Sequence, residues 1–539
     1  METLSTKNTT FKTSIELLLI IGFAAIPLVF PEMPYRVNIY LSWEGAFRLY
    51  EGQLPYRDFG LPMGVVYWVI PALFFKLFGP YLITLIKAQV FINIVAAFAF
   101  RDILKLFKLS FGERALALII FGISYVMFNY WPWYNHSVIV YEIISLAFIV
   151  RFAFSDKKSK KLLYLIIGAV FAFICFFTKQ DGGGMGFIIC LAIVAYTSII
   201  ERNFMFPIYY IGVFAILLTS TILIFKGFDF GYWFNYGQPP HYSRVSAADI
   251  IEDFLAKSFW EKFYLGLMIM ILITQITSFK TFLADKQKFL FALFSFAIVG
   301  EALVFQVTSY VPANGHIFFH SFAFAYIIHF IGPKLNVDRF PNLIVYSLCL
   351  LMWWSSPHWR LIQPFYAKVT PFKKKENTKI VSKNSYIKKG EGGASNQPWV
   401  STPEWAAFKG MKMPQETKQG IIDILNLEIV KEKGEHLKVL NMSELTPLAH
   451  TIGYDLPKSS QQPLWYHQGV GLFDREIEYL CQTIINGEYD MVLFEEIPEL
   501  NNFYPPKVQE CLKEHYKLAN RFTAPRRNEP GVVEVYLKN

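Results

Sequence analysis

Charge is what this 539-residue chain has least of. Asp, Glu, Lys and Arg together make up 17% of it, against 54% apolar and 18% aromatic residues. That scarcity excludes both an ordinary soluble enzyme, whose surface charged side chains must cover, and a disordered chain. Cysteine is also rare. Cys175, Cys190 and Cys349 lie in apolar stretches, where they act as small hydrophobes. Only Cys481 and Cys511 share a polar region, and their spacing does not by itself indicate a bridge. The chain has no HExxH, and its C-terminal part has neither a glycine-rich phosphate loop nor metal-ligand spacing, so no cofactor is expected. The net charge of +9 does not point to nucleic acid, because the basic residues flank apolar segments or crowd one linker.

What is present is a series of long apolar runs. Eleven are long enough to cross a bilayer, or nearly so: residues 13–30, 80–100, 115–130, 137–154, 162–178, 184–200, 206–226, 263–283, 289–308, 316–332 and 340–356. The first is too long for a cleavable signal and lacks a small-residue cleavage site, so it reads as a retained span. A twelfth run, 64–78, is short. If it does not cross, one side of the membrane receives Arg101, Lys105, Lys108, Arg114, Lys157, Lys158, Lys160, Lys161, Lys280, Lys286 and Lys288. The other side then receives loops such as 131–136 and 309–315, which contain no Lys or Arg. The positive-inside rule therefore makes 64–78 an interfacial helix.

The fold expected is mainly α: a polytopic bundle of about eleven transmembrane helices with juxtamembrane helices, and a small C-terminal α/β domain. Residues 1–356 form the membrane module, 357–400 a basic linker, and 401–539 an extracytoplasmic domain. In that domain Glu416–Lys433, Arg475–Ile485 and VQECLKEHYKLA read as helices. HLKVLNM, YDMVLFEEI and GVVEVYL read as strands.

Polar residues between apolar runs gather in a few places, all on the side opposite the basic loops. The first is Ser42 to Gly79. It carries Glu44 on a short helix, then Pro55-Tyr56-Arg57-Asp58-Phe59, then the interfacial helix. A partly desolvated carboxylate at the bilayer edge suits a general base acting on a hydroxyl. The pair Arg57–Asp58 offers either a second charge site or a local ion pair holding the loop. Lys87, inside a span, either snorkels or meets a lipid-borne phosphate.

Thr178-Lys179-Gln180-Asp181 with three following glycines forms a corner that a phosphate headgroup could reach, or simply a tight turn with a Lys–Asp pair. Asn135 and His136 are the polar members of an aromatic outer loop. His316 and His320 lie four apart on one helix face; without a third ligand a metal is not expected there. Glu142 and Glu301 fall within spans and need polar neighbours.

Glu44-Gly45, Leu49, Gly52, Pro55-Tyr56-Arg57-Asp58-Phe59, Pro62 and the run ending Leu77-Phe78-Gly79 resemble the first loop of the GT-C superfamily. Within it the chain is similar to bacterial glycosyltransferases related to the protein O-mannosyltransferases and the lipid A aminoarabinose transferase. Lys87 and Thr178-Lys179-Gln180 match further short motifs, and the resemblance covers roughly residues 10–335.

It implies an inverting transfer of a sugar from a polyprenyl-phosphate-linked donor to a lipid, glycan or protein acceptor, outside the cytoplasm, in a bacterial inner membrane. It also implies that Glu44 acts on the acceptor, and that Lys87 and Lys179, with Arg57, hold the departing phosphate. The chain departs from the pattern twice: Trp43 stands where many members have Asp, and Asn135-His136 stands where several have a carboxylate. A transporter or flippase is the alternative, but it predicts internal repeats and broken midplane helices, which the sequence does not show.

Overall fold

The computed structural model describes residues 2–29, 33–35, 39–127, 131–234, 246–258, 260–309, 317–355, 398–464, 466, 473–498, 504–526 and 531–539. By contact the chain divides into two compact units. One comprises residues 1–29, 89–223 and 243–368; the other comprises 30–88, 224–242 and 369–539.

The first unit is helical, and among the described residues the eleven apolar segments of the chain fall on helices. Among the described residues, seven helices are long and apolar enough to cross a membrane: Thr10–Val29, Leu82–Leu106, Tyr134–Phe154, Lys158–Phe176, Gln180–Glu201, Met205–Phe225 and Lys286–Thr308. The segment expected at 263–283 is interrupted: one helix ends at Gln275 and a short one runs Phe279–Ala284. Thr274 and Gln275 end the first helix, and Ile276, Thr277 and Ser278 form the break.

Aromatic rings fill the core. Phe100 stacks on Phe121 at 4.3 Å and Phe107 on Phe291 at 4.6 Å. Ion pairs tie basic flanks of separate helices together. Glu16 takes both Arg101 and Arg114, Glu201 takes both Lys161 and Lys286, and Asp102 takes Arg151. Basic residues expected at one membrane face thus converge at shared carboxylates.

The second unit is mixed. The helix Val66–Phe78 has 13 residues, with Pro71 inside it. At 1.5 Å per residue it spans about 20 Å, shorter than the ~30 Å hydrocarbon core. Two sheets follow. In the smaller, β3 (Met411–Pro414) lies between β1 (Met33–Pro34, parallel) and β2 (Trp399–Ser401, antiparallel). In the larger, the order is β4 (Val439–Met442), β5 (Met491–Glu496), β7 (Val532–Lys538), β6 (Tyr516–Thr523).

The three expected strands are present. VQECLKEHYKLA is corrected: its helix, Pro506–His515, stops at Tyr516 and the rest is strand β6, held antiparallel to β7. Tertiary pairing overrides local helix propensity there. The helix expected over Glu416–Lys433 breaks at Leu427 into Gln415–Asn426 and Glu428–Lys433.

Helices Phe473–Ile485 and Pro506–His515 pack on the larger sheet around Leu480, Ile484, Val492, Val508 and Leu512. A disulfide joins them, Cys481–Cys511, with Cα atoms 5.8 Å apart. Its formation suits an oxidising compartment.

Candidate active site

Glu44 lies on the helix Ile39–Tyr50, whose close approach to Val66–Phe78 depends on a glycine. A Cβ on Gly45 would lie 1.9 Å from the Trp68 ring. This accounts for the Glu-Gly dipeptide: one residue supplies the acid, and the next lets the indole pack against the backbone. Trp43 is fully buried and donates its indole N–H to the Pro80 carbonyl at 3.0 Å, so it is a packing anchor.

Glu44 is 7% exposed, and its carboxylate is paired with Arg48, one helical turn on. Arg48 donates from both Nε (2.9 Å) and Nη2 (2.7 Å) to Oε1. Its Nη1 donates to Gln53 Oε1 at 2.7 Å and to the Pro457 carbonyl at 2.9 Å, and its guanidinium lies over the Phe59 ring at 5.2 Å. Gln53 in turn donates to the Leu456 carbonyl at 3.4 Å. Arg48 thus holds one oxygen of Glu44 and leaves Oε2 without a hydrogen bond among the described residues.

Burial pushes the Glu44 carboxyl above the usual carboxylate range, against the pull of Arg48. Tyr454 and Tyr466 are within electrostatic reach: burial raises both phenols, and the Glu44 charge raises them further.

The stretch Pro55–Phe59 is a tight turn. Tyr56 takes a left-handed backbone (φ 64°), with its ring between Phe225 and Phe230 and its hydroxyl donating to the Met63 carbonyl at 2.8 Å. Asp58 closes the turn by accepting the Leu54 N–H at 2.7 Å, and Arg57 forks onto both its oxygens at 2.9 and 2.6 Å. Both oxygens of Asp58 are therefore engaged locally, while the Arg57 side chain remains half exposed. The fork from Arg57 is the main reason the Asp58 carboxyl sits below the usual range. Lys87 is half buried with its ammonium 4.5 Å from the Phe78 ring centroid, and it has no ion pair among the described residues.

The remaining candidates belong to the helical unit. Lys179 pairs with Asp181 at 2.8 Å and lies over the Tyr134 ring (5.8 Å) and the Phe305 ring (5.0 Å). Two of the expected polar corners, 131–136 and 178–184, therefore meet. Asp181 also accepts the Gly182 N–H at 2.8 Å, and Gln180 opens the helix beside it. Asn135 is half buried and its Oδ1 has no hydrogen-bond partner among the described residues, whereas His136 is fully buried beside Gln89 (3.1 Å) and Phe318 (4.9 Å).

His320 is also buried, among Trp260, Tyr264 and Trp354, with Nε2 3.9 Å from Glu261. His316 lies outside the described residues. Among the described residues no cluster of three or more His, Cys, Asp or Glu is arranged to hold a metal.

Arg48, Gln53, Tyr454 and Tyr466 were not among the expected site residues. The first was accessible, since Glu and Arg at i and i+4 share a helix face. Nothing in the local pattern around 454–466 points to residue 44.

No family model matches the chain, and no curated protein does. Among solved structures it is similar over its length to the crystal structure of ArnT from Cupriavidus metallidurans in the apo state, at 10% identity. That alignment covers 98% of each chain with a TM-score of 0.48. It is similar also to the crystal structure of the same protein bound to undecaprenyl phosphate, again at 10% identity. There 96% of this chain and 97% of that one are covered, with a TM-score of 0.49.

Proposed function

We propose that this chain is a membrane glycosyltransferase that moves a sugar from a polyprenyl-phosphate-linked donor to an acceptor on the extracytoplasmic side, with inversion at the sugar carbon. One observation carries the reading. A single compact unit holds a buried carboxylate with one oxygen fixed and the other open, and a half-buried lysine without a carboxylate partner among the described residues.

Transfer requires those two parts. An acceptor hydroxyl must lose its proton as its oxygen attacks the sugar carbon, and the departing lipid phosphate must have its charge met. Glu44 Oε2 takes the proton, and its raised pKa makes it a stronger base than an ordinary carboxylate. Lys87 meets the phosphate as a compact charge, and half-exposed Arg57, aligned by Asp58, is the second cation of the unit. The disulfide-bonded C-terminal domain supports an orientation outside the cytoplasm.

The test is turnover of purified protein with polyprenyl-phosphate sugars, comparing wild type with Glu44→Gln. Loss of turnover with donor binding intact is the expected result. Unchanged turnover removes Glu44 from the chemistry.

A further inference from the structure

The role of the C-terminal domain is the largest gap left by the sequence, and the hydrogen bonds of loop one bear on it. Two backbone segments of the same unit run side by side. Ser459 N–H donates to the Asp58 carbonyl at 2.9 Å, Gly60 N–H to the Gln462 carbonyl at 2.8 Å, and Leu464 N–H to the Gly60 carbonyl at 3.0 Å. Gly60 and Pro463 form a parallel bridge.

One turn away, the carbonyls of Leu456 and Pro457 receive Gln53 and Arg48, the two side chains through which Glu44 is fixed. Arg48 is 1% exposed, so its fork has no solvent to fall back on if these acceptors leave. Its three donor nitrogens are divided: Nε and Nη2 to the acid, Nη1 to Gln53 and the C-terminal domain.

We infer that the segment Tyr454–Leu464 of the C-terminal domain is a working part of the loop-one site, clamping Arg48 so that this arginine positions Glu44 with one oxygen held and the other presented. This rests on Glu44 being the base, and it assigns to residues far along the chain the task of orienting it. Arg48 is assigned a positioning role, acting through Glu44. The charged and titratable groups around the seam are few. Glu44 faces Arg48, Tyr454 and Tyr466, while Lys458 and Asp455 lie near Glu51, and Lys458 also near Asp58.

The experiment pairs hydrogen exchange with a pH profile, on the full chain in lipid nanodiscs. In wild type, amides in 56–62 and 457–466 are expected to exchange at a common rate, because each segment protects the other. Arg48→Met is expected to speed both together, to lower kcat about 10- to 100-fold with little change in donor KM, and to move the acid limb of kcat to higher pH. The sign follows from the charge: Arg48 lowers the Glu44 pKa, so removing it raises that pKa further and delays deprotonation as pH rises. Arg48→Lys keeps the charge and loses the fork. It is expected to leave the limb near its wild-type position while kcat stays reduced, and it serves as the second variant if Arg48→Met does not fold.

Unchanged exchange in 457–466 on loss of Arg48 overturns the clamp. Coupled exchange with an unmoved acid limb overturns Arg48 as a positioning residue and leaves only a structural seam. Normal turnover in Glu44→Gln is a separate result, which removes the base assignment itself.

Discussion

Loop one and the interior of the helical unit both bury carboxylates, and they treat them differently. Glu44 is met by a guanidinium that holds one oxygen, so it stays oriented and half available. Glu142 and Glu301 are 2% and 3% exposed, face one another, and have no ion pair among the described residues; neither Glu301 oxygen has a hydrogen-bond partner of regular geometry there. The lysines differ in the reverse sense: Lys179 is spent on Asp181, whereas Lys87 rests on an aromatic face. Residue type therefore does not mark the site. How each group is held does: Arg48 fixes one oxygen of Glu44 and leaves the other open, and Lys87 has no carboxylate partner among the described residues.

The comparison is broken most directly at the acids. Glu44→Gln is expected to lower turnover about 10²- to 10⁴-fold, the usual worth of a general base. Glu301→Gln keeps shape, loses no cationic partner, and is expected to stay within tenfold of wild type. Equal losses in the two variants would erase the distinction.

Next is the bridge that stiffens the domain bearing the clamp. Cys481→Ser opens a crosslink across 30 residues of sequence. It is expected to cost about 3–4 kcal/mol in a chain-entropy estimate, read as a lower denaturation midpoint.

The lysines come third. Lys87→Met is expected to raise donor KM about tenfold, roughly 1.4 kcal/mol. Lys179→Met is expected to lower thermal stability instead, by stranding Asp181. A Lys179 variant with weakened donor binding and normal stability would reverse their roles.

The smallest effect concerns Asp58. Its folded pKa is depressed, so its contribution to stability is present above the ordinary carboxylate pKa and fades as pH falls through the lower, folded value. Asp58→Asn is expected to flatten that acid-side loss by only a small amount, because Arg57 is half in solvent. Acid titration followed by circular dichroism checks it.

Much of the architecture was legible in the sequence because it is written in local terms. Apolar runs mark the helices, short apolar stretches mark β4, β5 and β7, and the short run at 64–78 is a helix of only 13 residues, Val66–Phe78. Strand β6 was not legible, since its residues favour a helix until β7 lies beside them. At the site, Glu44 stood out by its isolation among apolar residues, and Lys87 did too. His136 and His320 were polar candidates as well, and both are fully buried. Local pattern cannot say which side of a helix its neighbours will cover.

What the sequence determined by itself was the inventory: a chain of long apolar helices, an acid and a cation cluster in loop one, and a small C-terminal α/β domain. Tertiary structure decided their availability. It placed Arg48 on Glu44, put Asp58 into a turn, and brought carbonyls some 400 residues distant along the chain onto that arginine and its partner Gln53. Hydrogen bonds and ion pairs act over a few ångströms of space, and separation along the chain carries no information about that distance once the backbone has folded back on itself.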